Sequence, residues 1–243
     1  MTDQVEENTA FPRPGVHGRR KGKKLRSHHS YLMENMLPRV SVDPATGLDG
    51  FVSTLPNPER ELWLEIGFGG GEHLASRAHA RPDIDFVGCE PFQNGVAKLL
   101  AEIASADLSN IKIFPDDASK LLERLPAQSV EKVFLLFPDP WPKRRQKKRR
   151  FLNEINIASL ARVIRFGGEF RFATDIDDYA GWALARLLKS PFFDWVSPSA
   201  VVWSRPWEGH TVTRYESWAL EQGRQPVYLT FARNRFEEPA AAG

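Results

Sequence analysis

The chain shows two alternating patterns of apolar residues from Glu61 onward. Short continuous apolar runs, rich in β-branched and aromatic residues, are typical of strands buried on both faces of a parallel sheet. The segments between them carry apolar residues at helical spacing. The pattern predicts seven strands, at Leu62–Gly67, Asp85–Glu90, Ile111–Phe114, Lys132–Phe137 and Glu169–Thr174, near Val201 and at Val227–Ala232. It predicts helices over residues 72–80, 94–105, 118–125, 152–163 and 176–189.

Repeated alternation of strand and helix indicates an α/β fold, namely a doubly wound, mainly parallel seven-stranded sheet with helices on both faces. The predicted domain spans residues 59–236. Residues 1–58 lack sustained periodicity and contain Pro, Gly and charge, which predicts a flexible basic N-terminal arm with a short ordered piece near Tyr31–Pro38. Residues 237–243 are expected to form a disordered tail.

The basic residues are concentrated in two short runs. The formal net charge is only +2, but Arg19–Arg26 carries six positive charges and Lys143–Arg150 carries seven, with no acid in either. The other 20 basic residues are outnumbered by 31 acidic ones. Such runs are often solvated, disordered tails. Two of them, one shortly after a predicted strand, favour a polyanionic partner such as a nucleic acid.

Cysteine usage and hydropathy indicate the cellular compartment in which the protein is expected to function. Cys89 is the only cysteine, so the sequence offers no disulfide and indicates a reducing environment. No apolar run approaches the roughly 18 residues needed to cross a bilayer, and the polar N-terminus has no signal-peptide core. We therefore expect a cytoplasmic protein without membrane contact. The six histidines show no metal-ligand spacing with the cysteine, so no metal is expected.

The sequence LWLEIGFGGGE, from Leu62 to Glu72, predicts a strand, a glycine turn and a helix. Glycines permit a tight turn and let a ligand approach the backbone, which makes Gly67 and Gly69 candidate cofactor-binding residues. The dinucleotide pattern G-x-G-x-x-G requires a small residue where this chain has Glu72. Glu65, two residues before the first glycine, would repel a pyrophosphate but suits the cationic end of a sulfonium amino acid. The loop thus favours S-adenosylmethionine over a dinucleotide and disfavours a dehydrogenase.

Further acidic residues follow the next two strands. Glu90 ends the second strand, where a carboxylate can accept hydrogen bonds from both hydroxyls of a ribose. Asp116 and Asp117 follow the third strand, where a carboxylate can accept from an adenine amino group. Together with Glu65 they form a coherent cofactor edge at the carboxyl ends of three consecutive strands.

The segment FPDPWPK, from Phe137 to Lys143, joins a carboxylate, a large ring and a cationic run after the fourth predicted strand. Chemistry on a nucleic-acid base needs a hydrogen-bond acceptor for the base, here Asp139, and an aromatic ring that stacks on it. Stacking of a base on such a ring contributes about 1–3 kcal/mol. Trp141 supplies such a ring, although a Trp between prolines is about as often packed beneath its loop. A cytosine-C5 methylase would need a cysteine in this turn, and Cys89 lies at the end of the second strand instead.

These features together resemble one family. The motifs LEIGFGGGE and FPDPWPK, the strand-end Glu90, the DDA of Asp116–Ala118, the FATD of Phe172–Asp175 and the TRYE of Thr213–Glu216 are similar to those of the bacterial tRNA (guanine-N7)-methyltransferases. The resemblance covers residues 62–233 and the basic arm. It implies a Rossmann-like class I methyltransferase fold, S-adenosylmethionine as cofactor, and 7-methylguanosine formation at variable-loop guanosine 46 of tRNA. One departure is that family members often carry an Arg-Pro pair shortly before the Thr, whereas this chain has His210-Thr211 nearby, so the loop Trp203–His210 is expected to differ in conformation.

The resemblance also implies roles for individual residues. Asp139 is the expected catalytic residue and, like Glu65, Glu90 and Asp117, a cofactor contact. The expected guanosine-binding set is Lys143, Asp175, Thr213, Arg214, Tyr215 and Glu216. Positive charge makes the two basic runs the expected contacts to the tRNA backbone. These are Arg144, Arg145, Lys147, Lys148, Arg149 and Arg150 in the second run, and Arg19, Arg20, Lys21, Lys23 and Lys24 in the first.

Two alternatives stay open at this point. A methyltransferase acting on an adenine or cytosine amino group in RNA would have a similar turn, although the Thr213–Glu216 motif argues against it. A non-catalytic RNA-binding module that kept the fold is the other, although the intact acids at four strand ends disfavour it. We expect no obligatory protein partner, and the sequence is compatible with a monomer or a homodimer.

Overall fold

A computed structural model gives the structure of the protein over residues 20–42, 60–196 and 199–237. Arg19, most of the predicted N-terminal arm and the predicted tail beyond residue 237 lie outside the described residues. The described residues form a seven-stranded sheet with helices packed on both of its faces.

The sheet is mainly parallel. Its strands are β1 (Leu62–Ile66), β2 (Asp85–Cys89), β3 (Ile111–Phe114), β4 (Val130–Leu136), β5 (Ile164–Thr174), β6 (Phe193–Trp195) and β7 (Val227–Arg233). Their order in the sheet is β3-β2-β1-β4-β5-β7-β6, and β7 is antiparallel to both of its neighbours. The predicted fold class is therefore confirmed.

The helices alternate with the strands along the chain. They are α1 (Ser27–Asn35), α2 (Leu37–Val40), α3 (Glu72–Ala80), α4 (Gln93–Ala106), α5 (Ala118–Arg124), α6 (Glu154–Val163), α7 (Asp177–Leu187), α8 (Ala200–Trp203) and α9 (Arg214–Glu221). A 3₁₀ helix spans Arg144–Arg149.

The strand predicted near Val201 is wrong. Val201 lies in the short helix α8, and β6 is instead the preceding three-residue segment at the edge of the sheet. Phe193 of β6 pairs with Arg233 of β7, so a long-range contact and not local propensity places this strand. A three-residue strand also carries too few positions for an alternating pattern to identify it.

Two hydrophobic cores lie on opposite faces of the sheet. Successive residues of β4 show the alternation, because Val133 and Leu135 belong to one core while Phe134 and Leu136 belong to the other. Helices α5, α6 and α7 cover the first face, and α1, α3 and α4 contribute to the second. Burial on both faces explains why the central strands read as continuous apolar runs.

The described part of the predicted arm packs against the domain. Leu32 of α1 is buried in the core that α3 and α4 share. The side chain of Asn94 accepts a hydrogen bond from the backbone N–H of Gly22 at 2.8 Å and donates one to the carbonyl oxygen of Lys23 at 2.7 Å. The first basic run is thereby held beside the start of α4.

The glycine turn after β1 is packed closely against α4. A Cβ atom on Gly95 would lie 2.1 Å from the carbonyl oxygen of Gly69, so only glycine fits at this contact. In Gly181 of α7, by contrast, a Cβ would meet no atom within 4 Å.

These two glycines make a matched pair for a stability test. Gly95→Ala should destabilise the fold by about 1–3 kcal/mol, because the methyl group must displace backbone. Gly181→Ala should stabilise it by about 0.5–1 kcal/mol, because alanine loses less entropy than glycine in a helix. Urea unfolding followed by circular dichroism measures both. Equal midpoints for the two variants would contradict the close approach of α4 to the glycine turn.

Candidate active site

A cavity of about 800 Å³ lies at the carboxyl ends of β1 to β5 and beside α9. Parallel strands bring the loops that follow them to one edge, and the strand order reverses at β1, where an open α/β sheet forms a crevice. Of the predicted site residues, the following line the cavity: Gly67, Gly69, Glu90, Asp117, Asp139, Arg149, Arg150, Asp175, Arg214 and Tyr215.

The main chain of the glycine turn forms part of the cavity wall. Gly67 has a φ of +72° and Gly69 a φ of +58°, the left-handed region that glycine adopts without strain. A Cβ on Gly67 would meet nothing within 4 Å, so the cavity reaches the main chain there. An adenosyl cofactor can therefore approach the backbone closely at this position.

Glu90 ties the glycine turn to the end of β2. One of its carboxylate oxygens accepts from the backbone N–H of Gly69 at 2.8 Å, and the other accepts from that of Phe92 at 2.9 Å. Burial raises the pKa of Glu90 above its ordinary value, and these two hydrogen bonds offset part of the increase. Each carboxylate oxygen has a second lone pair, so Glu90 can still accept from two ribose hydroxyls.

Asp116 and Asp117 lie after β3, as predicted, but have different partners. Asp117 caps α5 by accepting from the backbone N–H of Ser119 at 3.0 Å. Asp116 forms ion pairs with Lys120, at 2.6 Å, and with Arg20 of the first basic run. Both carboxylates therefore have partners within the protein, and contact between Asp117 and an adenine amino group stays a prediction.

Asp139 faces the cavity from the turn after β4. The residues on either side of the turn, Phe137 and Trp141, have φ values of +47° and +43°, which are strained for non-glycine residues. The backbone N–H of Phe137 anchors the turn by donating to the carbonyl oxygen of Ala173 at 2.8 Å. Partial desolvation in the cleft raises the pKa of Asp139 above its ordinary value.

Arg150 corrects one prediction about the tRNA backbone. Its side chain is 0% exposed, its Nε donates to the carbonyl oxygen of Pro140 at 2.8 Å, and its guanidinium forms an ion pair with Asp178. The guanidinium also lies 4.7 Å from the ring centroid of Tyr179. Arg150 therefore fastens the Asp139 turn to α7 and is not available to an RNA phosphate.

The rest of the second basic run consists of Lys143 and the 3₁₀ helix that follows it. Lys143, Arg144, Arg145, Lys148 and Arg149 are exposed, whereas Lys147 is half-buried and forms an ion pair with Asp178 at 2.5 Å. The guanidinium of Arg149 lies 5.0 Å from the ring centroid of Trp141 at the cavity wall. Lys143 is not among the residues that line the cavity. In the first run, Arg20, Lys21, Lys23 and Lys24 are also exposed.

Glu65 is buried and does not line the cavity. It is 3% exposed, and a carboxylate oxygen lies 2.7 Å from Nδ1 of His73, which therefore donates to it. His73 is outside the predicted set, because its position on the buried face of α3 gives no chemical signal in the sequence. Contact between Glu65 and a cofactor stays a prediction.

The TRYE motif divides into two inward and two cavity-facing residues. Thr213 and Glu216 form a capping box at the start of α9, while Arg214 and Tyr215 line the cavity. The Glu216 carboxylate is 1% exposed, accepts from the hydroxyl of Tyr228, and lies 2.6 Å from Nε2 of His210. Guanosine binding by Thr213 and Glu216 stays a prediction, and their observed contacts are structural.

The two partners of Glu216 in this buried cluster, His210 and Tyr228, lie outside the predicted set. The ring centroid of His210 lies 5.5 Å from that of His73. The Glu65–His73 pair and the Glu216–His210–Tyr228 group are therefore neighbours, and they join the strand that precedes the glycine turn to the helix beside the cavity.

Asp175 lines the cavity after β5 and is paired with Arg224, which is also outside the predicted set. The Nε of Arg224 donates to the Asp175 carboxylate at 2.5 Å. The guanidinium of Arg224 also lies 4.7 Å from the ring centroid of Trp218, which lines the cavity as well.

The strand order with β7 antiparallel, the glycine turn and the strand-end acids together define a class I methyltransferase. A solved structure of the 16S rRNA methyltransferase KamB shares the fold, with a TM-score of 0.50 and 16% identity, over 77% of this chain and 94% of that one. Residues 59–229 match the family model described as "Putative methyltransferase".

Curated relatives are similar over nearly their whole length. A tRNA (guanine-N(7)-)-methyltransferase of Nitrobacter hamburgensis is 47% identical over 93% of this chain and 91% of that protein. One of Rhodopseudomonas palustris is 48% identical over 95% of this chain and 92% of that protein. One of Bradyrhizobium diazoefficiens is 46% identical over 89% and 92% respectively. The chain belongs to the family of the tRNA (guanine-N7)-methyltransferases.

Within the described residues, no helix is long and apolar enough to cross a membrane. The same residues contain no group of three or more His, Cys, Asp or Glu side chains arranged to hold a metal ion.

The buried Glu216 carboxylate should make a measurable, pH-dependent contribution to stability. Burial raises its pKa, but the hydrogen bonds from His210 and Tyr228 outweigh burial and hold the pKa below the ordinary value. The contribution is therefore complete above the unfolded pKa of about 4.3 and disappears as the pH falls through the lower folded pKa.

Glu216→Gln should accordingly reduce the free energy of unfolding at pH 7 by about 1.5–3 kcal/mol, the range for hydrogen bonds to a charged group. The difference from wild type should shrink in acid. Urea midpoints at a series of pH values measure this, with Glu221→Gln, an exposed acid on the same helix, as the control. If the free energies of unfolding of variant and wild type differ by the same amount at all pH values, the carboxylate charge is not the cause of the difference.

Proposed function

We propose that the protein transfers a methyl group from S-adenosylmethionine to N7 of a guanosine in tRNA, giving 7-methylguanosine. The observation that carries the proposal is that Asp139 faces the same cavity as the glycine turn and Glu90. A base acceptor and a cofactor edge thus share one site in a chain of this family. Variable-loop guanosine 46 is the proposed position.

The residues present fit an adenosyl cofactor. The open backbone at Gly67 leaves room for the ligand, and in this proposal Glu90 accepts from the ribose hydroxyls and Asp117 from the adenine amino group. The cofactor, when bound, supplies a sulfonium methyl group that is already activated. Asp139, farther along the same edge, is the acid proposed to meet the methyl end and the base.

Guanine N7 has an in-plane lone pair and no proton, so the reaction needs no general base. The protein's contribution is then positioning, with N7 held about 3 Å from the methyl carbon in a site that excludes water. The base becomes cationic as the methyl group arrives. The Asp139 carboxylate can stabilise this charge where it develops, because it lies in a partly desolvated cleft.

Removing the Asp139 carboxylate should test this role directly. Asp139→Ala and Asp139→Asn should lower kcat by about 100-fold or more, the scale for losing one preorganised electrostatic group. In wild type, kcat should fall with acid starting above the ordinary Asp pKa of about 3.9, because the pKa of Asp139 is raised. The measurement is methyl transfer from labelled S-adenosylmethionine to an unmodified tRNA transcript. Glu102→Gln, an exposed acid on α4, is the control.

The product identifies the base. Borohydride and aniline should cleave the methylated tRNA at the variable loop, and replacing guanosine 46 by adenosine should abolish the cleavage. Label without cleavage would move the reaction to another base nitrogen, such as an adenine or cytosine amino group. Cofactor binding without any label would favour the non-catalytic RNA-binding module. Near-normal kcat in both Asp139 variants would remove Asp139 from the mechanism.

The exposed cations beside the cavity should bind the RNA backbone. Changing Arg144, Arg145 and Lys148 to Gln should weaken tRNA binding and flatten its dependence on salt. The slope of log K against log salt should fall by about 0.7–0.9 for each phosphate that the variant no longer binds. S-adenosylmethionine affinity should stay constant. Lys189→Gln, an exposed cation after α7, is the control, and an unchanged slope in the triple variant would place the 3₁₀ helix away from RNA.

We also propose that the enzyme is cytoplasmic and that it acts without an obligatory protein partner, as a monomer or a homodimer. Methyl transfer by the purified chain tests whether a partner is needed. Light scattering during size-exclusion chromatography of the active fraction separates the two oligomeric states.

A further inference from the structure

Helix α9 exposes two large rings to the cavity. Tyr215 and Trp218 are three residues apart on the helix, which places them on one face, and both line the cavity. They are 53% and 57% exposed. Large exposed aromatic rings beside a cavity with acidic and cationic walls are features of a binding surface. Trp218 lies outside all of the motifs described above.

The two rings lie in different parts of the cavity. A Cβ on Gly69 would lie 3.4 Å from the ring of Tyr215, so Tyr215 is beside the glycine turn. Trp218 lies about one helical turn farther along α9 and is linked through Arg224 to Asp175, at the end of β5. If the target guanosine stacks on Tyr215, one of the residues predicted to bind it, the Trp218 ring is left for another base of the RNA.

Arg224 holds Trp218 in place. After α9 the chain turns at Gly223, whose φ is +71°, and the backbone N–H of Arg224 donates back to the carbonyl oxygen of Ala219 at 3.0 Å. The guanidinium then lies 4.7 Å from the Trp218 ring centroid while its Nε is bound to Asp175 at 2.5 Å. The indole is thus oriented by a contact that reaches the central sheet, and more than half of the residue is still exposed.

We propose that Trp218, backed by Arg224, is a stacking platform for a nucleobase adjacent to the target guanosine in the RNA substrate. The proposal rests on the proposed function and adds a second base site to it. Stacking suits this ring because every nucleobase has a π-face. Two of the cations that line the same cavity, Arg149 and Arg214, suit the phosphates on either side of such a base.

The protein side of the test compares three variants of α9. Trp218→Ala should raise the KM for tRNA by about 5- to 150-fold, the range for losing one base–aromatic stack. The KM for S-adenosylmethionine and kcat at saturating tRNA should not change. Trp218→Phe should stay within a few-fold of wild type because it keeps a ring. Leu220→Ala, which removes an exposed apolar side chain outside the cavity, is the matched control.

The RNA side of the test uses tRNA with an abasic nucleotide immediately 5′ or 3′ of the target guanosine. On one of these two substrates the Trp218→Ala penalty should disappear, because the stacked base is already missing. A penalty that persists on both substrates, or an unchanged KM for intact tRNA in Trp218→Ala, would overturn the stacking platform while methyl transfer continues. A wild-type chain that transfers no methyl to tRNA would instead overturn the proposed function, and the subsite with it.

Discussion

The position of the site depends on the parallel pairing of β1 with β2 on one side and β4 on the other. This pairing places Glu65 opposite Gly88 and Phe134, so the three strands end together at one edge. The strand order reverses at β1, and the loops on either side diverge to leave a crevice. The glycine turn can occupy the crevice only because Gly95 of α4 allows a close backbone approach. Packing on one face of the sheet thus sets the geometry of the cofactor edge.

The second basic run contains one buried cation and several exposed ones. Its last residue, Arg150, is buried and fastens the strained Asp139 turn to α7. The residues before it lie in a 3₁₀ helix that presents most of its charges to solvent. A turn with two non-glycine residues at positive φ is costly and persists only where its surroundings hold it. The cation that holds Asp139 toward the cavity therefore differs from those proposed to bind RNA.

The predicted binding acids divide between the cavity and the core. Glu90, Asp117, Asp139 and Asp175 line the cavity, whereas Glu65 and Glu216 are buried and paired with His73 and His210. A buried carboxylate without hydrogen bonds is very unfavourable, so its partners must fold around it. The Glu65–His73 pair links β1 to α3, the Glu216–His210 pair links α9 to the segment before it, and the two histidine rings are neighbours. A motif recognised by its acidic residues therefore contains both residues that line the cavity and buried residues that hold neighbouring elements together.

The sequence by itself determined the α/β alternation, β1 to β5 to within a few residues at most of their ends, and which loops carry acids, glycines and cations. These features depend on local periodicity and on the rule that parallel strands end at one edge. Only the tertiary structure decided that β6 precedes Val201, that Arg150 points inward, and that Arg224 joins Asp175 to Trp218. Each of these depends on a partner far away in the sequence, and the charge or hydropathy of a residue does not reveal which partner the fold brings to it.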